Sequence, residues 1–182
     1  MRRFLLILLA ALPISGLAAC DDPTSYLTDP NLRQDTLLVL RAPGGAGADA
    51  PSALDASTPT EVSPELPQFA GQWDFAVRQS GSTFRFVPLE TGSATTRPGL
   101  APSAVDYAAI DEASRRRSVY SDSAVVLAAG ASYTYRTRAY RVSGGTCFSY
   151  GKLRIDSLDP ATGRVTLRAL TNINCDDERL SD

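Results

Sequence analysis

Cys147 and Cys175 stand at equal sequence distances from Ala161, the middle of Asp159-Pro160-Ala161-Thr162-Gly163. Proline and glycine in that segment signal a turn. Beyond it Val165, Leu167, Ala169, Thr171 and Ile173 recur at every second position, which puts their side chains on one face of a strand. Folding 147–158 back on 165–173 about Ala161 sets the two cysteines opposite each other at the open end of a hairpin. Directly opposed antiparallel residues have Cα atoms about 4.5–5.5 Å apart, within disulfide reach. The pattern predicts a final hairpin stapled by Cys147–Cys175, a closure that stabilises the fold by roughly 3–4 kcal/mol on the chain-entropy model.

Further alternations extend this reading. Trp73, Phe75 and Val77, then Phe84 and Phe86, flank Ser80-Gly81 and read as a hairpin. Ala124-Val125-Val126-Leu127 leads through Gly130 into 133–142 and reads as another. Residues 89–102 read as a Gly/Pro-rich loop. Ser103 is a candidate cap for one short helix near 104–114, with Tyr107, Ile110 and Ala113 or Ser114 on its apolar face. One-sided alternation predicts an all-β chain, an immunoglobulin-like antiparallel β-sandwich. Residues 42–68, rich in Ala, Gly, Pro, Ser and Thr, bury too little apolar surface to offset their ordering and read as a flexible linker. Leu37-Leu38-Val39-Leu40 leaves two uses open for 36–41. Either everything up to Gln68 is tether, or this strand pairs with the domain and the linker is an excursion; its apolar density favours the strand. The domain itself is placed over 69–182, behind a stem and linker over 20–68.

The N-terminus carries a different signal. Met1-Arg2-Arg3 precedes the apolar run from Phe4 to Leu12, too short for a bilayer span, and Leu17-Ala18-Ala19-Cys20 follows Pro13 and Gly16. The Leu-Ala-Ala-Cys box, in that position and with those flanks, resembles the bacterial lipoprotein signal. The resemblance implies cleavage after residue 19, acylation of Cys20, and a membrane partner reached through the lipid anchor. Stable anchoring takes two or more chains, which that class carries. The expected localisation is the cell envelope, facing periplasm or exterior. Asp21-Asp22 resemble an inner-membrane retention signal, but the leaflet stays open. Gln72-Trp73-Asp74-Phe75-Ala76-Val77-Arg78 and the ending from Asn172 to Leu180 resemble segments of uncharacterised bacterial lipoproteins, a likeness that implies no activity.

Charge and composition narrow the functions. Residues 21–74 hold nine acids against Arg33 and Arg41, whereas 75–182 hold 11 acids against 14 bases. So small a basic surplus gives no strong pull toward nucleic acid. The chain has no histidine, which excludes Ser-His-Asp and Cys-His catalysis within one subunit and removes the commonest transition-metal ligand. With Cys147 and Cys175 tied together, zinc has no thiolate set. Ser149-Tyr150-Gly151-Lys152 matches S-x-x-K, but it falls in an expected strand, where positions three apart point to opposite faces, and its companion motifs are absent. Asn172-Ile173-Asn174-Cys175-Asp176 matches half of a calcium loop, without the glycine and the closing glutamate. No catalytic residue, metal ligand or cofactor is therefore assigned.

The candidate ligand face is Arg136, Arg138 and Tyr140, which share one side of an expected strand, with Arg115-Arg116-Arg117 as a further basic cluster. Two functional classes follow. One is a non-catalytic envelope module that binds or supports another envelope protein. The other binds a small molecule or glycan through the arginine–tyrosine face; a hydrolase ranks below both.

Overall fold

The structure is a computed structural model that describes residues 33–44 and 50–181. The signal peptide, Cys20 and the stem up to residue 32 lie outside the described residues. Among the described residues, twelve strands form two five-stranded antiparallel sheets and a two-stranded ribbon. The first sheet runs β1 (Arg33–Arg41), β12 (Arg164–Asn172), β11 (Tyr150–Asp159), β8 (Ser132–Arg136), β6 (Gly99–Ser103). The second runs β3 (Thr60–Val62), β2 (Ala53–Asp55), β4 (Phe75–Ser80), β5 (Thr83–Pro88), β7 (Val125–Val126). The ribbon pairs β9 (Tyr140–Val142) with β10 (Gly145–Cys147).

The sheets face each other as a β-sandwich around one core. Leu38 and Leu40 of β1, Leu153 and Ile155 of β11, and Val165, Leu167 and Ala169 of β12 meet Leu54, Phe75, Val77, Phe84 and Phe86 from the opposite sheet. Phe75 bridges the layers, 5.9 Å from the Phe86 ring and 6.1 Å from the Tyr135 ring by centroids. Five strands on each side is not the four-plus-three set of the constant immunoglobulin type.

The β11–β12 hairpin has the expected register. Tyr150 opposes Asn172 and Ile155 opposes Leu167, both centred on Ala161. A bulge at Asp156 then shifts the register by one residue. It restores Leu158 to the core side, because one extra residue reverses the side-chain alternation. Gly151 sits opposite Tyr135, and a Cβ there would collide with that ring and with the Leu170 carbonyl. The missing side chain lets the fully buried Tyr135 cross β11 and reach Leu170 O at 3.1 Å and Thr171 Oγ1 at 2.5 Å.

The β4–β5 hairpin also forms as expected, turning at Gly81-Ser82 directly after Ser80, which pairs with Thr83. Of the two uses left open for residues 36–41, the favoured one forms: they are strand, paired along β12 within Arg33–Arg41. Other expectations are corrected. The domain begins well before residue 69. Part of the expected linker is also in the body, since β2 and β3 bury Ala53, Leu54 and Val62. Alternation over three residues is too short to register against so much Pro, Ser and Thr. The segment read as a loop over 89–102 contains most of β6, whose Leu100 is fully buried.

The expected hairpin from 124–127 to 133–142 does not form. β7 pairs with β5 in the second sheet and β8 with β11 and β6 in the first. The chain crosses between layers at Gly130, whose φ is +79°, and the second strand stops at Arg136.

The short helix near 104–114 is absent; a single 3-10 turn, Tyr107–Ala109, stands in its place. No side chain caps it, and neighbours claim the backbone: Ala113 N–H donates to Glu178 O and Leu180 N–H to Asp111 O. The expected apolar face is nevertheless buried. Ile110 and Ala113 pack with Ala101, Tyr120, Tyr150 and Leu180 on the outer side of the first sheet. Segments 104–120 and 173–181 together cover that end of the sheet, so both of its sides are dry there.

Candidate functional site

Strand register gathers Asn172, Tyr150, Arg136 and Gly99 at one end of the sandwich. The ribbon, the turn after β2 and the C-terminal tail all leave from this end. The disulfide closes it: Cys147 and Cys175 are bonded with Cα atoms 5.2 Å apart. The bond lies beyond the β11–β12 ladder, and Cys147 itself pairs with Tyr140 in the ribbon.

Inside this end sits a charged cluster. Asp74, fully buried just before β4, accepts the Arg138 N–H at 2.6 Å on one oxygen. Its other oxygen accepts the Ala56 N–H and an Arg138 guanidinium N–H, each at 2.8 Å. Arg138 also donates to Asp55 at 3.1 Å. Asp55 in turn accepts the Ser57 hydroxyl at 2.6 Å. Burial pushes the Asp74 carboxyl up to about 6; Arg138 opposes the rise and neighbouring Asp55 adds to it. Burial works against the Arg138 charge, yet the two aspartates hold its pKa above the ordinary value. Three donors converging on one carboxylate are the arrangement that makes a buried ion pair tolerable, and breaking it leaves an uncompensated charge. The cluster ties the second sheet to the segment between β8 and β9.

The proposed ligand face does not assemble. Arg136 and Arg138 would share a face only if the strand continued, but β8 ends at Arg136. Arg138 turns to the two aspartates. Arg136 is buried, donating through Nη2 to Thr95 O at 3.0 Å and Arg97 O at 3.1 Å, with its guanidinium 4.1 Å over the Phe148 ring. The Tyr140 hydroxyl lies 3.1 Å from Ser149 Oγ and 3.4 Å from Ile173 O. Ser57, Thr58, Tyr140, Ser149 and Ile173 line an open concavity of about 320 Å³. At the opposite end Arg41, Gln79 and the turn 160–163 line another of about 420 Å³.

The remaining motifs separate. Ser149 and Lys152 go to different partners: the lysine is buried, donating to Ile110 O at 2.8 Å and lying 5.0 Å from the Tyr107 ring centroid. The half calcium motif spends side-chain oxygens on backbone N–H groups. Asn172 Oδ1 accepts the Asn174 N–H at 3.0 Å and Asp176 accepts the Phe148 N–H at 3.2 Å. Asp177 pairs with Arg179, whose hydrogen bond holds the carboxyl below its ordinary range. Among the described residues no three of His, Cys, Asp and Glu are grouped to hold a metal. In the basic cluster, Arg115 pairs with Glu178 and Arg117 with Asp122, while Arg116 is exposed.

Sequence reasoning missed Asp55, Asp74 and Arg97. Asp55 lies in the stretch read as linker. Asp74 carried a usable signal, a lone charge between Trp73 and Phe75 in an apolar run. No protein-family model, curated protein or solved structure matches the chain.

Proposed function

We propose that the chain is a lipid-anchored cell-envelope protein whose β-sandwich is a non-catalytic binding or structural module. The observation that carries the reading is Leu17-Ala18-Ala19-Cys20 behind Met1-Arg2-Arg3 and a short apolar run. Acylated at Cys20, the head would hang from residues 21–32, since β1 begins at Arg33. Twelve residues reach at most about 40 Å when fully extended, so the head stays close to the bilayer. The tether would enter beside Asn172, which pairs with Arg33, at the end of the sandwich that holds the disulfide and the smaller concavity. A partner for that end would be met at the membrane surface.

A small-molecule or glycan ligand is a second reading. The concavity around Tyr140 favours it, with an aromatic wall and hydroxyls from Ser57, Thr58 and Ser149. Neutral polar groups suit that site better than the charged contacts expected from Arg138, which Asp55 and Asp74 already engage.

Membrane fractionation of the native protein against Cys20→Ala tests the anchor. The native chain should sediment with membranes through a high-salt wash, and the variant should not be retained. Equal retention of both would refute lipid anchoring at this cysteine.

A further inference from the structure

On the outer side of the second sheet, Phe69 and Trp73 pack on Ala53, Val62 and Ala76, where β2, β3 and β4 run together. One row further along that side, Arg78 of β4 pairs with Arg85 of β5, and Arg85 pairs with Val126 of β7. Phe75, Val77, Phe84 and Phe86 point into the core, so strand alternation turns Arg78, Arg85 and Val87 outward. Val126 is 54% exposed and Arg78 is exposed, while Phe69, Trp73, Arg85 and Val87 are half-buried.

Like charges set directly opposite each other destabilise a sheet. Neither arginine has an ion-pair partner among the described residues. Arg78 donates to the carbonyl of its own neighbour, Val77 O, at 3.0 Å. The one acid at an outward position of the described strands of this sheet, Asp55, is held by Arg138. The face therefore sets aromatic and aliphatic surface beside two uncompensated cations.

A second copy does not fit the same face, because its arginines would meet these. An anionic bilayer matches both parts: lipid phosphates attract the guanidiniums, and tryptophan settles at the headgroup level. The chain outside the structure ends where β1 begins, at Arg33. β1 borders the rim of this sheet, where Val39 N–H donates to the Glu61 carboxylate of β3. A tether attached there leaves the face within reach of the membrane.

We propose that this face, Trp73 with Arg78, Arg85 and Val126, docks the head against anionic phospholipid. The proposal rests on reading the head as held beside a bilayer, but not on the acyl chains themselves.

Trp73 is the single tryptophan of the chain, so its emission reports on this face. The mature chain carrying Cys20→Ser is titrated with vesicles of phosphatidylglycerol and, separately, of phosphatidylcholine. Emission should shift to the blue with the first and not with the second. Each arginine at an anionic surface contributes about fivefold in affinity, so Arg78→Gln with Arg85→Gln should raise the half-saturating lipid concentration about thirtyfold. Removing opposed like charges should not lower the melting midpoint, which separates this loss from unfolding. The same charge removed from the outer side of the first sheet, by Arg164→Gln with Arg168→Gln, should change it by less than about twofold, because the sandwich and salt screen it from the lipid. No shift with phosphatidylglycerol, an equal shift with phosphatidylcholine, or equal weakening by both pairs would overturn the docking face. A shift produced by soluble polyglutamate and not by vesicles would assign the face to an acidic protein and overturn it as well. Membrane retention of the native chain against Cys20→Ala bears on the anchor alone, so the two readings fail separately.

Discussion

Replacing Cys147 and Cys175 together by serine removes the clamp on the C-terminal tail, and its effect follows from the chain length that it closes. The cysteines are 28 residues apart, for which the loop-entropy relation gives about 3.6 kcal/mol at 25 °C. The native geometry adds no obvious penalty, since a Cα separation of 5.2 Å falls in the usual disulfide range. For a domain of this size the loss corresponds to a drop in melting midpoint of about 10 °C. It should also be uneven in space. Cys175 anchors a tail whose Leu180 is buried against Ile110 and Ala113, and the tail supplies Glu178 O to Ala113 N–H. Opening that cover exposes one end of the first sheet and leaves the core between the sheets in place. Urea unfolding gives the global loss. Amide exchange at Ala113 and Leu180, against Leu153 and Leu167, gives its distribution. A loss below about 1 kcal/mol, or exchange accelerated equally at all four amides, would refute the clamp.

Three other perturbations follow from the same packing. Gly151→Ala should destabilise by about 3 kcal/mol in urea, because the new methyl meets the Tyr135 ring and the Leu170 carbonyl together; a neutral result would mean that Tyr135 does not cross β11 there. Arg138→Ala should cost about 3–5 kcal/mol by the same assay by stranding buried Asp74, and far more than Arg154→Ala, whose ion pair with Asp156 is exposed and long at 3.7 Å. Asp74 also sets a sign for pH. Its folded pKa is raised to about 6 from 3.8, so between those values the folded chain holds a proton that the unfolded chain has lost. Its contribution is therefore greatest below about pH 4 and falls by about 3 kcal/mol as pH rises through 6. Denaturant midpoints of the parent and Asp74→Asn at pH 4.5 and 7 isolate that slope, and a rise attributable to Asp74 over the window would contradict it.

What could be read from the sequence depended on how long each pattern ran. The β11–β12 hairpin was legible because nine residues of alternation and a Pro/Gly turn agree with the placement of two cysteines. Burial of Tyr107, Ile110 and Ala113 was legible too, although only a single 3-10 turn, Tyr107–Ala109, forms there and no α-helix. Their spacing marks a buried face, but hydrogen bonds with Glu178 and Leu180 decide the conformation, and those partners come from the far end of the chain. β2 and β3 were hidden because three residues carry no period. The layer switch at Gly130 was hidden for a related reason: a glycine turn between two apolar runs looks the same whether the runs pair or part. At the site, Arg136 and Arg138 were read as sharing one face of a continuing strand. Arg136 and Arg138 are both important to the fold, but the end of β8 sends them to different partners. Asp55 and Asp74, which define what Arg138 does, are distant in sequence from it.

Intact mass and N-terminal peptide mapping of the protein recovered from a bacterial membrane fraction test the proposed anchor most directly. The mature chain should begin at Cys20 and carry the mass of a diacylglycerol thioether and an amide-linked acyl group. A chain that retains residues 1–19, begins at another residue, or begins at Cys20 with a free thiol would contradict the anchored head and the orientation at the membrane that follows from it.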